Sequence, residues 1–336
     1  MKNNTALLGS WIRRFLLEYL IRDKNFAPNT QRSYRDTLVL LLPYVATLAC
    51  KSIERLLVED VAAEYIRAFL QHLEEERNCA ISTRNHRLAA IHSLASFICL
   101  NNPEYIQWAG EIKAIPFKKT NRSLVVYLEK DEMNALLDAT EDDNQRYRDH
   151  AILLFLYNTG ARADETAHVK INDLHLGAVH KRDLSWVNIC GKGNKLRRCP
   201  LWNKTVDELL PLIGNRAHDD TVFLNRYQHS LTRYGIYGLV KKYASKASAK
   251  IPSLKNKQVS PHTIRHTTAT HLLRSGVDIN TIRAWLGHVS LATTNIYAHV
   301  DFEAKAKALA NCEIETATSK IQWQENPTLM DFLRNL

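Results

Sequence analysis

Three basic side chains, His262, Arg265 and His266, stand within five residues of one another in the stretch SPHTIRHTTATHLL, residues 260–273. A serine–proline pair opens this stretch and a glycine follows it, so the pattern predicts a helix over 261–275. At about 100° per residue, the three side chains share one face of the first two turns. A helix N-terminus with free amides, imidazoles and a guanidinium fork favours the binding of phosphate.

Histidines at positions i and i+4 also hold zinc in the HExxH metalloproteases. Here Thr263 stands where the general-base glutamate of that motif would be, and no third ligand follows at a fixed spacing. We therefore expect no metal at this site, and a test with a chelator separates the two interpretations.

A second group of polar residues follows in the string LGHVSLATTNIYAHV. Asp278 is expected to cap a short helix that Gly287 ends, and His288 then lies at the break before Ser290 caps the next helix. Tyr297 is two turns into that next helix. The spacing allows a histidine and a tyrosine to fold back over one site.

Three motifs together, HTIRH, LGH followed nine residues later by tyrosine, and the upstream TGARADE, resemble the tyrosine recombinase family, also called the phage integrase family. The resemblance covers residues 8–316 and is closest to the simple, two-domain recombinases and transposases. The N-terminal strings NTQRSYRDTL and STRNHRLAAIHSLASF are similar to the core-binding domain of the family.

The resemblance implies the following catalytic residues: Arg162, Lys192, His262, Arg265, His288 and Tyr297. In the family the two arginines clamp the phosphate, the first histidine is the candidate general base, and the second histidine donates to the scissile phosphate. The tyrosine is the nucleophile, and a hairpin lysine is the acid for the leaving 5′-hydroxyl. Lys195 competes with Lys192 for this last role, and Glu165 matches an acidic residue, three positions after the first arginine, that in the family braces the site from behind.

Elementary chemistry agrees with these roles. Attack on a phosphodiester builds negative charge on the non-bridging oxygens, which two bidentate guanidinium groups offset well. A tyrosine hydroxyl with a pKa near ~10 needs a base or a positive potential to react at neutral pH. The chemistry requires no cofactor.

The elements that must position these residues are mainly α-helical with a small β-sheet. Apolar periodicity predicts a four-helix N-terminal unit, and then helices at 129–140 and 145–158 and a β-hairpin around Gly191–Lys195. The resemblance implies that the first unit is a SAM-like core-binding domain and that the second is an α+β catalytic domain. The predicted boundaries are 1–112 for the first domain, 113–124 for a basic linker, 125–316 for the catalytic domain and 317–336 for a tail helix. The DNA-contacting residues expected on the first domain and the linker are Arg32, Arg35, Arg84, Arg87, Lys118 and Lys119.

Charge and composition fit a polyanionic partner. The 336 residues include 45 Lys+Arg and 35 Asp+Glu, a formal net charge of +10. The six cysteines form no CxxC pair, which argues against a zinc or disulfide framework. No apolar run reaches the ~18 residues of a membrane span, so we expect a cytoplasmic, bacterial nucleoid-associated protein without membrane contact.

These observations predict a metal- and ATP-independent recombinase that cleaves double-stranded DNA through a 3′-phosphotyrosyl intermediate and belongs to a mobile element. Two alternatives stay open: an enzyme like a type IB topoisomerase, and a non-enzymatic DNA-binding protein with a relic site. The apolar stripe of the tail, Leu329, Phe332, Leu333 and Leu336, docks either on its own domain or on a neighbouring protomer. The second arrangement would link a dimer or tetramer on DNA, with paralogous recombinases as possible further partners.

Overall fold

The computed structural model describes residues 7–120, 125–141, 145–177, 184–191, 193–287, 294 and 333–334. The chain forms two compact units, Met1–Ser123 and Leu124–Leu336. Within the described residues, no helix is both long enough and apolar enough to cross a bilayer.

The described part of the first unit consists of helices and the loops that join them. Its apolar core includes Trp11, Phe15 and Leu20 from the first helical segment, where the α-helix continues directly as a π-helix over Phe15–Asp23. The α-helices of this unit are α1 (Leu8–Arg14), α2 (Pro28–Leu48), α3 (Ala63–Glu75), α4 (Ile81–Asn101) and α5 (Ile106–Lys113). The predicted helical N-terminal domain is confirmed.

Helix α5 was not predicted, because residues 103–127 show no extended apolar period. In the structure Ala109 and Ile112 of α5 are buried, and Ile115 just beyond the helix is also buried in the same core. Ile115, within the segment expected to be a linker, therefore belongs to the core of the first unit. The division of the chain into functional domains stays a prediction.

The second unit combines helices with a small antiparallel sheet. Its helices in the described residues are α6 (Lys130–Asp138), α7 (Arg146–Thr159), α8 (Ala163–His168), α9 (Asn203–Ile213), α10 (Arg233–Lys250), α11 (Pro261–Arg274) and α12 (Ile279–Leu286). The strands, in the order β1-β2-β3, are β1 (Leu174–His175), β2 (Trp186–Cys190) and β3 (Leu196–Pro200). The predicted hairpin is present with Val187 opposite Cys199, whereas the two-residue strand β1 was too short to predict.

Helix α11 begins and ends as its sequence predicts. The Ser260 hydroxyl accepts a hydrogen bond from the Thr263 amide, and Gly276 follows the last turn with a φ of +85°. Its threonines join it to neighbouring segments: the Thr268 hydroxyl donates to the carbonyl of Tyr157 at 2.7 Å, and Thr267 Oγ1 accepts from the Leu128 amide at 2.9 Å. The first bond holds α11 against α7, and the second joins it to the segment just before α6.

The end of α7 requires a glycine for two reasons. Gly160 has a φ of +60°, and a Cβ at this position would lie 2.6 Å from Cδ2 of Leu286 in α12. The chain therefore turns sharply under α12 and enters α8 through Arg162. Gly287, with a φ of +66°, ends α12 in the same left-handed conformation, as predicted.

Candidate active site

Arg162 is the N-cap residue of α8 and is held by Glu165, three residues along the chain. The Arg162 amide donates to Glu165 Oε2 at 2.8 Å, and its Nη1 donates to Oε1 at 2.6 Å. The Arg162 side chain is 32% exposed, whereas that of Glu165 is buried. The carboxylate thus fixes a guanidinium whose outer face stays open to a ligand.

Glu165 also contacts Arg197, a buried residue of β3. Arg197 Nη2 donates to Glu165 Oε2 at 2.6 Å. Burial alone would raise the pKa of Glu165, but the hydrogen bond and charge of Arg197, with a further contribution from Arg162, lower this pKa to about 2. Glu165 therefore stays ionised at any physiological pH.

Arg265 in α11 joins two chain turns of the site. It is 3% exposed, and its Nη1 and Nη2 donate at 2.6 Å to the carbonyls of Gly160 and Leu286 respectively. Gly160 precedes Arg162 by two residues, and Leu286 precedes His288 by two. The guanidinium of Arg265 thus lies between the segments that carry two other predicted site residues.

His262 lies at the exposed N-terminus of α11 and lines the same cavity as Arg162. The cavity has a volume of about 440 Å³, and its wall also includes Arg233, Tyr234 and Tyr237 of α10. Surrounding protein and the charges of Arg265 and Arg162 lower the pKa of His262. The imidazole is consequently neutral at pH 7, the form that accepts a proton.

His266 has a different position from His262, although both histidines lie on α11. Its side chain is half-buried, and burial, together with the proximity of His262 and Arg265, lowers the pKa of His266 to about 4. Within the described residues, no group of three or more histidine, cysteine, aspartate or glutamate side chains has the geometry of a metal site.

Three of the predicted catalytic residues, Lys192, His288 and Tyr297, lie outside the described residues. The structure does show the turn around the first of them: the Gly191 amide donates to the Lys195 carbonyl at 2.9 Å, and Gly193 has a φ of +77°. Lys195 is exposed at the end of this turn. The assignment of the acid to one of the two lysines stays a prediction.

The predicted DNA-contacting residues of the first unit have different environments. Arg32 and Lys119 are exposed, Arg35 pairs with Asp36 at 2.7 Å, and Lys118 pairs with Glu74 at 2.8 Å.

The two arginines of α4 are less accessible. Arg87 is half-buried, and its Nη1 donates to the Asp36 carbonyl at 3.5 Å. Arg84 is only 6% exposed, and its Nη1 donates to the Pro116 carbonyl at 3.0 Å. Arg84 therefore fixes the chain after α5 to α4 in this structure, which leaves little of its guanidinium for a phosphate.

Sequence reasoning missed Arg197 and the α10 residues on the cavity wall. A signal for Arg197 existed: strand alternation places it on the same inward face as Cys199, where an unpaired charge is unfavourable. An inward-facing arginine within an apolar alternation therefore predicts a buried carboxylate partner. Arg233 and Tyr234 gave no comparable signal, because exposed residues at a helix start have no distinctive spacing.

Comparisons with known proteins identify the family of the chain. Residues 126–304 match the model of the phage integrase family, and residues 12–101 match the model of the phage integrase N-terminal SAM-like domain. A Sinorhizobium fredii protein, y4rC, whose name describes an integrase/recombinase, is 34% identical over 335 residues, covering 98% of this chain and 99% of its own. The tyrosine recombinase XerD of Chlorobaculum tepidum is 33% identical over 296 residues, covering 85% and 90%.

Among solved structures, the XerH site-specific recombinase bound to its difH substrate has the same fold. The TM-score is 0.64 at 22% identity, with 86% of this chain and 81% of that chain covered. The chain belongs to the phage integrase family, that is, to the tyrosine recombinases. The activity of this family is the cleavage and rejoining of DNA without metal or ATP, and its relatives support site-specific recombination.

Proposed function

We propose that this chain is the recombinase or transposase of a mobile element and that it cleaves DNA through a covalent 3′-phosphotyrosyl intermediate. The observation that carries the proposal is the convergence of Arg162, Arg265 and His262 at one site, with Glu165 fixing the first of them. The relation to y4rC along nearly the whole chain supports the integrase type of recombinase.

In the proposed reaction, the Tyr297 oxygen attacks the scissile phosphorus and its proton passes to the neutral imidazole of His262. The P–O5′ bond breaks, and Lys192 protonates the leaving 5′-oxygen. Arg162 and Arg265, with His288 as a further donor, offset the charge on the non-bridging oxygens. Attack by the 5′-hydroxyl of a second strand reverses these steps, so the ester bond energy is retained.

Double-stranded DNA is the partner that the charge distribution supports. Next to the cavity, Arg233 lies over the ring of Tyr234, with its Cζ 4.7 Å from the ring centroid, and both side chains are exposed. On the first unit, exposed Arg32 and Arg35 lie on α2, and Arg87 of α4 contacts the α2 backbone at Asp36. Such side chains bind phosphates without reading sequence. A DNA substrate also implies a cytoplasmic, nucleoid-associated location.

The substitution Tyr297→Phe tests the chemistry. On a nicked suicide substrate the wild type is expected to form a covalent protein–DNA adduct on a denaturing gel, and the variant none, because only the nucleophilic oxygen is removed. Filter binding should show nearly unchanged affinity for the intact site. An adduct with the variant would contradict the assignment of Tyr297, and a wild type without an adduct would favour a DNA-binding protein with a relic site.

If inverted repeats are found beside the reading frame, a substrate with two copies of them separates the remaining alternatives. Strand exchange between the repeats supports the mobile-element role. Relaxation of supercoils without exchange would instead favour the activity of a type IB topoisomerase. EDTA should leave the cleavage rate unchanged, and inhibition by EDTA would restore the zinc interpretation of HTIRH.

We also propose that the tail, 317–336, docks on a neighbouring protomer. The described part of the tail supports this: Leu333, one of the apolar positions, is 55% exposed in the single chain. Deletion of residues 320–336 should leave single-site binding unchanged while synaptic complexes in native gels and strand exchange decrease. A truncated protein that recombines at the normal rate would show that the tail docks in cis or is dispensable.

A further inference from the structure

Arg197 is more buried than the simple packing of a strand requires. It is 9% exposed, lies opposite Ile189 in the hairpin, and shares its face with buried Cys199. Its Nη2 donates to Glu165, whereas within the described part of the chain its Nε and Nη1 are buried without an N or O hydrogen-bond partner and the nearby polar group is the thiol of Cys199. An unsatisfied buried donor is destabilising, so a strand under selection for stability alone would place an apolar residue here.

The guanidinium of Arg197 lies directly under two glycine turns. A Cβ on Gly191 would lie 3.3 Å from Arg197 Nη1, and a Cβ on Gly287 would lie 3.1 Å from Arg197 Cδ. Each of these glycines immediately precedes a predicted catalytic residue, Lys192 in the first case and His288 in the second. Through Glu165, the same side chain reaches Arg162.

We propose that Arg197 is a positioning residue of the cleavage site: with Glu165 it fixes the guanidinium of Arg162, and it supports the two turns that lead to Lys192 and His288. This inference rests on the proposed function, because it concerns the same site. Arg197 contacts no reacting atom in this scheme and acts through the residues that it holds.

The route from Arg197 to Arg162 follows from the contacts of the carboxylate. Glu165 accepts hydrogen bonds from Arg162 through both oxygens and from Arg197 through Oε2, and its charge also acts on the thiol of Cys199. The Arg162 side chain is partly exposed, and among the described residues its hydrogen-bond partner is Glu165. Without the fork of Arg197, the carboxylate loses the bond that sets its rotamer, and the clamp on the phosphate loses its orientation.

The test compares Arg197→Lys with Arg198→Lys in the full chain. Arg198 is a matched control, since it is the next residue of the same strand but is exposed and lies over Trp186, 5.0 Å from the ring centroid. In single-turnover cleavage of a nicked substrate at saturating protein, we expect Arg197→Lys to lose about 10²-fold in rate, as for a displaced transition-state donor. Arg198→Lys is expected to stay within about threefold of the wild type.

A second substrate identifies how the rate is lost. With a neutral methylphosphonate at the scissile position, one charged non-bridging oxygen is absent and the clamp has less charge to stabilise. The ratio of wild-type to Arg197→Lys rates should then shrink to about threefold, a change that a general loss of folding would not produce. Glu165→Gln should show the same pattern, and the double variant should lose little more than either single variant. If Arg197→Lys shows no cooperative unfolding transition, and so is not folded, the same comparison is made with Glu165→Gln.

Two results would overturn the inference alone, provided that the wild type cleaves normally. One is a wild-type cleavage rate for Arg197→Lys. The other is an equal loss of rate by Arg197→Lys on the phosphodiester and on the methylphosphonate substrate. A wild type that forms no adduct on the nicked substrate would overturn the proposed function and this inference with it. Failure of the inference and failure of the function are therefore distinguished by the wild-type lane.

Discussion

Glu165→Gln should make the stability of the second unit less dependent on pH. The carboxylate lies between Arg162 and Arg197, and its pKa is lowered from 4.5 to about 2 in the folded chain. At 1.36 kcal/mol for each pKa unit, the ionised form contributes about 3 kcal/mol to the free energy of unfolding. Because the folded pKa is the lower one, this contribution is complete above pH ~5 and is lost as the pH falls toward 2.

Glutamine keeps the shape of the side chain but has no charge to lose. At pH 7 the variant should therefore be less stable than the wild type by up to about 3 kcal/mol, and by pH 3 this difference should shrink by about 2 kcal/mol. Hydrogen exchange in a urea series, measured on peptides from α8 and from the β2–β3 hairpin, reports the unfolding of this unit separately from the first. Glu141→Gln, at an exposed position in the same unit, serves as the control.

An equal stability difference between wild type and Glu165→Gln at pH 7 and pH 3 would contradict this prediction. Such a result would mean that the two arginines do not stabilise the carboxylate in its charged form. A variant more stable than the wild type at pH 7 would mean that burial of the charge outweighs both ion pairs.

Two further predictions concern the reaction itself. Arg265→Ala and Arg162→Ala should each lower single-turnover cleavage by about 10²-fold or more, through loss of a transition-state donor, and normal cleavage by Arg265→Ala would refute the phosphate clamp. Since the pKa of His262 is lowered from 6.5, wild-type cleavage should be constant near pH 7 and decrease only in more acidic buffer, as the imidazole gains a proton. His262→Asn should cleave about 10²-fold more slowly and lack this acidic decrease; a decrease that persists in the variant would assign it to another group.

The parts of the site predicted from sequence are those set by local rules. Ser260 and Gly287 mark helix ends through capping and positive φ, and both act as predicted. The hairpin followed from alternation with a glycine-containing turn, although β1 pairs over only two residues and left no period to detect. Helix α5 escaped prediction because its two buried residues, Ala109 and Ile112, are too few for a convincing stripe.

The sequence alone does not predict which partners a charged side chain finds among residues far away along the chain. Arg84 and Arg197 are both basic residues near other basic residues, and composition alone marks both as candidates for phosphate contact. In the structure one of them donates to the Pro116 carbonyl, 32 residues away, and the other to Glu165, also 32 residues away. Each bond depends on how separate elements pack, which local spacing does not encode.

The buried charges of the site form a connected arrangement. Arg265 joins the turn at Gly160 to the end of α12, Glu165 joins Arg162 to Arg197, and Arg197 lies against Gly287, the residue that ends α12. Buried charge pairs of this kind contribute less to stability than their number suggests, since desolvation offsets much of the attraction. Beyond their share in stability, these pairs hold the partly exposed guanidinium of Arg162 in a fixed orientation before DNA binds. When negative charge develops within hydrogen-bond distance of its donors, the transition state is stabilised most by donors that need not reorganise.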